Sequence, residues 1–275
     1  MSKKVVIVGC GWLGQQLAQP LSLAGWQVFG SRRTLAAAQN LAKPITGISL
    51  ALPDIELSAE LRALFSDAWV ICTIPPGLRS GNSASEYLPS LAALAALCQD
   101  VGIKGGIHIS STGVYQGLAG AVSETAELVL TLPRVALLAQ GEQILRQSGP
   151  WLTLRLAGLM GPGRHPGRFV QGKTISGAEQ PVNMVHSADV AAALLTLFKQ
   201  WPLPKSCYNL SSPARISKTD FYQAACQRLG VAESVSFTAE SAEPARRVMS
   251  DAFCQDTSFE YLYHDARQAL VACEP

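Results

Sequence analysis

Three things are scarce in this chain, and each scarcity closes off a class of protein. Charge is scarce: 15% of the 275 residues are Asp, Glu, Lys or Arg, and the formal net charge is +2. So small a balance offers no electrostatic footprint to nucleic acid or to an anionic membrane surface. Paired cysteines are missing. Cys10, Cys72, Cys98, Cys207, Cys226, Cys254 and Cys273 are scattered, odd in number and never spaced C-x-x-C. That argues against a disulfide framework and a metal site, and predicts reduced thiols in the cytoplasm. The four histidines, His108, His165, His186 and His264, show no metal-ligand spacing either. Long apolar runs are absent as well: none approaches the roughly 18 residues needed to span a bilayer. The run after Lys3 and Lys4 is broken by glycine after four residues, too soon for a signal peptide. With 48% hydrophobic residues the chain still reads as an ordinary globular protein, long enough for one main domain and a smaller lobe.

What is present is organised around Lys4 to Gly14, KVVIVGCGWLG. Val5 to Val8 are β-branched and end at Gly9, Gly11 and Gly14, which predicts a buried parallel strand, a glycine-rich turn and a helix. The G-x-G-x-x-G spacing has a mechanical reason. Gly9 permits the turn, Gly11 lets main chain approach a pyrophosphate, and Gly14 lets the helix lie close to its strand. Main-chain N–H groups of Trp12, Leu13 and Gly14 would then face the phosphates from the positive end of the helix. The bland alternative is a glycine-rich turn with no ligand.

The remaining chain alternates between the two periodicities. Leu13, Leu17, Leu21 and Ala24 predict a helix stopped by Gly25, and Trp26–Gly30 a second strand. Helices are predicted near 34–42, 58–65, 86–101 and 134–148, and strands near 46–50, 68–74, 106–110 and 151–157. That rhythm indicates an α/β protein with a doubly wound parallel sheet, residues 1–157, followed by a smaller substrate-side lobe, 158–275, interleaved with the end of the sheet. In the lobe GLMGPGRHPGRF reads as a ligand-side loop, Ser187 as a helix cap with Asp189 in the first turn, and CYNLSS as a short strand. Ser217 with Asp220 begins another helix, which Gly230 closes. Thr73, Pro75 and Gly113 stand at strand ends and are expected to line the cofactor pocket.

The end of the second strand bears on which nicotinamide cofactor fits. NAD-binding units of this kind carry a carboxylate about 20 residues beyond the glycines, where it bonds the adenosine ribose. No Asp or Glu occurs from Gln15 to Pro53, and the position reads Gly30-Ser31-Arg32-Arg33-Thr34. Guanidinium groups bind a 2′-phosphate that a carboxylate would repel. NADP(H) is therefore expected over NAD(H), with both arginines as plain surface charge the alternative.

From Ser110 onward several motifs fall in a familiar order. Ser110-Ser111-Thr112-Gly113-Val114-Tyr115 resembles the S-S-x-x-V-Y segment of the extended short-chain dehydrogenases/reductases, the NAD-dependent epimerase/dehydratase family. Glu124, the helix containing Glu142-Gln143-Ile144-Leu145, Leu154-Arg155-Leu156 and Gly161-Pro162-Gly163-Arg164 are similar to later family segments. Val182-Asn183-Met184-Val185-His186-Ser187-Ala188-Asp189 resembles its V-N-x-I-H-x-x-D stretch. The resemblance reaches to about Ser212. It implies a Rossmann-type fold, a nicotinamide cofactor, a small-molecule substrate, and a homodimer through the helices 86–101 and 134–148, although a buried helix gives the same pattern.

Two departures stand out. Val8 occupies a position where most extended members have glycine. The catalytic Tyr-x-x-x-Lys pair is also absent: counting back from Glu142, the tyrosine falls at Arg134 and the lysine at Leu138. No tyrosine lies between Tyr115 and Tyr208, and no lysine between Lys104 and Lys173. That pair works because the lysine brings the phenol's pKa toward working pH. Among the residues left, the resemblance gives Ser111 the substrate hydroxyl, unless it only satisfies backbone. Tyr115 is a candidate surrogate acid, and Glu124 a carboxylate acid or base or a loop anchor. His108 reads as a satisfied buried histidine. His186 is a candidate substrate contact or a structural hydrogen-bonding residue, and Arg164, Arg168 and His165 on the glycine-rich loop are able to meet an anionic substrate such as a nucleotide-sugar diphosphate or merely to solvate the loop. Two readings remain: an oxidoreductase or epimerase acting on a hydroxyl or carbonyl, and a cofactor-binding sensor without catalysis.

Overall fold

The computed structural model describes residues 3–55, 58–77, 86–231 and 235–274. The first half alternates as β1 (Lys4–Val8), α1 (Trp12–Leu23), β2 (Gln27–Arg32), α2 (Leu35–Gln39), β3 (Thr46–Ser49), α3 (Ala59–Phe65), β4 (Trp69–Cys72), α4 (Tyr87–Val101) and β5 (Gly105–Ser111). Then come β6 (Gly120–Val122), α5 (Pro133–Gln147), β7 (Trp151–Leu156), β8 (Gly158–Met160), α6 (Pro166–Val170), β9 (Thr174–Ser176), β10 (Met184–His186) and α7 (Ser187–Gln200). The chain ends with β11 (Cys207–Leu210), α8 (Lys218–Arg228), β12 (Ser236–Thr238), β13 (Arg246–Val248) and α9 (Asp251–Asp256). Seven strands form one parallel sheet in the order β11-β7-β5-β4-β1-β2-β3. The order reverses direction beside β1, which puts the open crevice of a doubly wound sheet at the glycine-rich turn.

Two compact units share the chain. The first holds residues 1–114, 133–154 and 205–207, and the second 115–132, 155–204 and 208–275. The first has a core in which Val6 and Val8 of β1, Val70 and Cys72 of β4, and Leu91 and Leu94 of α4 are buried together with Leu145 and Trp151. Continuous apolar strands covered by helices produce this packing. In the second unit Met160, Met184, Ile216, Phe221, Ala225 and Leu270 are buried together. Three two-stranded parallel pairs complete it: β8 with β10, β9 with β12, and β6 with β13.

Three local expectations change. β2 runs two residues beyond Gly30, because Ser31 and Arg32 pair with Ile48 and Ser49 of β3. GLMGPGRHPGRF is not all loop; it contains β8 and the short helix α6. The cap of α7 is His186, whose Nδ1 accepts from the Ala188 N–H at 3.1 Å, and not Ser187. β10 runs straight into α7, so its last residue, extended at ψ 145°, occupies the cap position and Ser187 is already helical. Ser217 begins α8 as expected, accepting from the Asp220 N–H, and Ser58 caps α3 by accepting from the Leu61 N–H.

Candidate functional site

The glycine-rich turn is clamped by its neighbours. Gly9 has φ +78°, a conformation glycine adopts freely. Its N–H donates to Ser31 Oγ at 2.9 Å, and the Cys10 N–H donates to the Ser31 carbonyl at 3.0 Å. From the other side the Thr73 hydroxyl donates to the Gly9 carbonyl at 2.8 Å. Gly11 is different: its φ is −80°, and a Cβ built there would meet nothing nearer than the Gly9 oxygen at 3.7 Å. No described residue crowds a Cβ at 11, and the space above the turn is clear. Gly14 sits behind, where a Cβ would come within 2.9 Å of Cys10 Sγ and 3.0 Å of Ile7. Helix α1 starts at Gly11 with no side-chain cap and no acidic residue in its first turn, which leaves its positive end facing that space. Burial pushes the Cys10 thiol up to about 11, so it stays protonated beside the glycine-rich turn.

That space opens into a cleft of about 490 Å³ within the first unit. Gly9, Gly11, Ser31, Arg32, Arg33 and Thr34 line one side, and Leu50, Leu52, Ile74, Pro75, Pro76 and Gly77 supply an apolar side. Trp12, Leu13, Gly14 and Thr73 do not line it; Leu13 and Gly14 are buried, and Thr73 holds the turn from behind. Arg32 Nε is buried without a hydrogen-bond partner among the described residues. Arg33 pairs with Glu86 Oε2 at 3.1 Å, with both side chains more than half exposed (63% and 52%). Sequence reasoning missed the apolar lining residues Leu50, Leu52 and Ile74, and also the charged one, Glu86. It lies 53 positions beyond Arg33, and only the return of the chain to α4 brings the two together.

At the end of β5, Ser111 Oγ accepts the Gly113 N–H at 3.1 Å. A Cβ built at Gly113 would lie 3.0 Å from Arg134 Nη2 and 3.3 Å from Ser111 Oγ, so hydroxyl and guanidinium converge there. Leu138, four residues along α5, is buried. Deeper in β5, Ser110 Oγ donates to Glu142 Oε1 at 2.7 Å, and His108 Nε2 lies 3.4 Å from the Tyr87 hydroxyl. His108 Nδ1 has no partner among the described residues. Burial lowers the His108 pKa to about 4, with the Glu142 carboxylate opposing and the Arg146 guanidinium assisting. The ring is neutral, and it is less fully satisfied than a plain core histidine would be.

Tyr115 belongs to the second unit and is fully buried. Its hydroxyl donates to Asn209 Oδ1 and accepts from Arg155 Nη1, both at 2.8 Å. Glu124 Oε1 accepts the Asn209 N–H at 2.7 Å, joining Glu124 to the same network. Arg164 Nε donates to the Leu159 carbonyl at 2.9 Å and its guanidinium lies 5.4 Å from the centre of the Phe169 ring. His186 is buried as the α7 cap, and burial lowers its pKa against the opposing Ala272 backbone contact. His165 caps α6 in the same way, accepting from the Gly167 N–H at 3.2 Å.

Comparison with known proteins fits this geometry. No family model matches the chain. Protein YeeZ of Escherichia coli K12 is 35% identical over 276 residues, covering 96% of this chain and 97% of that protein. The chain belongs to the YeeZ family. Among solved structures, UDP-glucuronic acid 4-epimerase from Bacillus cereus, in complex with UDP-glucuronic acid and NAD, superposes with a TM-score of 0.78 at 18% identity, covering 98% and 97% of the two chains. A functionally unknown conserved protein from Silicibacter pomeroyi DSS superposes at 0.75 with 22% identity, covering 98% and 99%. The YeeZ-family chain thus has the fold of the NAD-dependent epimerase/dehydratase-type short-chain dehydrogenases/reductases. No helix among its described residues is long and apolar enough to cross a membrane.

Proposed function

We propose that the chain binds NADP(H) in the cleft of its first unit and acts as an oxidoreductase or epimerase on a hydroxyl- or carbonyl-bearing small molecule. The observation that carries the reading is the cleft itself: an unblocked Gly11, an uncapped helix start, and Arg32 and Arg33 beside each other at the end of β2. The residues fit the cofactor. The positive end of α1, whose capping residue Gly11 lines the cleft, suits a diphosphate, Leu50, Leu52 and Pro75 suit a base, and Arg32 Nε, buried without a partner among the described residues, suits a phosphate oxygen. The B. cereus epimerase in complex with NAD and a nucleotide sugar supports the class of cofactor and substrate. When bound, the nicotinamide supplies hydride transfer; the protein's own residues bind, orient and shield. The test is turnover by the full chain: NADPH consumption with a panel of carbonyl compounds and nucleotide sugars, repeated with Ser111→Ala. Carbonyl-dependent consumption that falls at least about tenfold in the variant supports the enzyme, that ratio corresponding to about 1.4 kcal/mol of barrier.

The missing Tyr-x-x-x-Lys pair favours a second reading, an NADP(H) sensor. Tight NADP(H) binding with no turnover on any member of the panel, together with a specific protein partner, would select it.

A further inference from the structure

Two hydrogen-bond donors converge at the end of β5 with no acceptor among the described residues. The Ser111 oxygen takes the Gly113 N–H, which leaves its hydroxyl proton to donate elsewhere. Arg134 is exposed and makes no hydrogen bond or ion pair with any described residue. Gly113 marks where they meet: its missing Cβ would stand 3.0 Å from Arg134 Nη2, 3.3 Å from Arg134 Nε and 3.3 Å from Ser111 Oγ. Gly113 does not have a left-handed φ, so its conformation does not call for glycine. What glycine supplies there is room for the guanidinium beside the serine.

We propose that Ser111 and Arg134 form an anion-binding pair that holds a carboxylate or phosphoryl oxygen of the substrate. The proposal deepens the oxidoreductase reading and rests on it for the word substrate. The Arg134 guanidinium is donor-only and charged, and beside the Ser111 hydroxyl it suits an anionic oxygen better than a neutral hydroxyl. Arginine keeps its proton at any working pH, so Arg134 binds and orients and does not exchange a proton as a phenol would. No acidic residue stands in the first turn of α5, so the guanidinium reinforces the positive end of that helix. The absence of an ion pair with any described residue and the presence of a second donor separate this arginine from Arg33, whose charge is met by Glu86.

The test uses the full chain in solution. The Nε–H resonance of Arg134, identified by its loss in Arg134→Lys, is followed during titration with sodium acetate, inorganic phosphate and acetamide. A saturable shift with acetate or phosphate is expected, the tighter of the two naming the anion, and none with the uncharged acetamide. Ser111→Ala should weaken that anion at least about fivefold. The Gly113 amide is expected to respond in the natural chain and to cease to respond in Arg134→Gln. The pair is overturned if neither anion saturates, if acetamide acts equally, or if Ser111→Ala binds as tightly as the natural chain. NADP is titrated separately into the same sample. Failure of NADP with the anion response intact overturns the cofactor reading alone, and the reverse overturns the pair alone.

Discussion

The ends of β1 and β2 and the end of β5 lie on the same sheet, yet they treat the family pattern differently. At the first, Gly9, Gly11 and Gly14 keep their spacing, and side chains from two flanking strands, Ser31 and Thr73, hold the turn by its main chain. At the second, Ser111 remains while the positions of the tyrosine and lysine carry Arg134 and Leu138. The difference has a physical basis. Phosphate is gripped by backbone N–H groups, whose geometry survives wide change in side chains. Proton transfer depends on individual side chains with tuned pKa values, so a single substitution can alter it. A fold of this type therefore keeps its cofactor end more readily than its chemistry.

The comparison breaks most visibly at the arginines. Each charge-assisted hydrogen bond to phosphate contributes about 1.5–3 kcal/mol, so Arg32→Ala with Arg33→Ala should weaken NADP by about a hundredfold or more. NAD should be nearly unaffected, as calorimetry on the double variant would show. Equal losses for the two nucleotides would mean that these guanidiniums support the turn and not the ribose phosphate.

Stability against pH sharpens the contrast within β5. His108 has a folded pKa of about 4, below its ordinary 6.5. Between those values the unfolded chain takes up a proton that the folded chain refuses. The stability it protects is therefore complete above pH 6.5 and declines as pH falls toward 4, by up to about 3 kcal/mol. Asp189, in the second unit, tilts the other way. Burial raises it from 3.8 to about 6, so the folded form keeps a proton that the unfolded form releases, and stability falls as pH rises across that window. Amide exchange resolved by residue should show opposite slopes in the two units, and His108→Gln should flatten the first.

Tyr115→Phe removes a hydroxyl that both donates to Asn209 and accepts from Arg155. It should cost about 1–3 kcal/mol because buried polar partners lose a bond, read as a lower Tm. The account expects turnover to survive below that temperature; a collapse of turnover with Tm unchanged would make Tyr115 the surrogate acid. The smallest effect belongs to Glu86→Gln. Its exposed pair with Arg33 is of a kind worth about 0–1 kcal/mol, so stability should hardly move while NADP binds a few times tighter. Weaker NADP binding in that variant would instead show that Glu86 keeps Arg33 in its working position.

Much of this was legible in the chain before any coordinates. Elements with strong periodicity, such as α1 with Leu13, Leu17 and Leu21 and the apolar strand β1, lie where their patterns predict. What was hidden depends on contacts distant in sequence. Nothing near Arg33 announces Glu86, and nothing in SSTGVY shows that Gly113 makes room for Arg134. Local chemistry misled where two elements abut. Ser187 looks like the better cap, but the absence of any loop between β10 and α7 gives that position to His186. Ser31 stands in the stretch expected to meet the cofactor, and the structure gives it a task that stretch does not announce, accepting the Gly9 N–H. Tyr115 drew attention by its motif, while its hydrogen-bond partners Arg155 and Asn209 lie 40 and 94 positions away.

The central claim is that the first unit's cleft selects a phosphorylated ribose, and titration calorimetry of the natural chain with NADP and with NAD, at one fixed salt concentration, tests it most directly. The account predicts NADP binding tighter by about tenfold or more, equivalent to at least about 1.4 kcal/mol. NAD binding equally well, or no heat from either nucleotide, would contradict it.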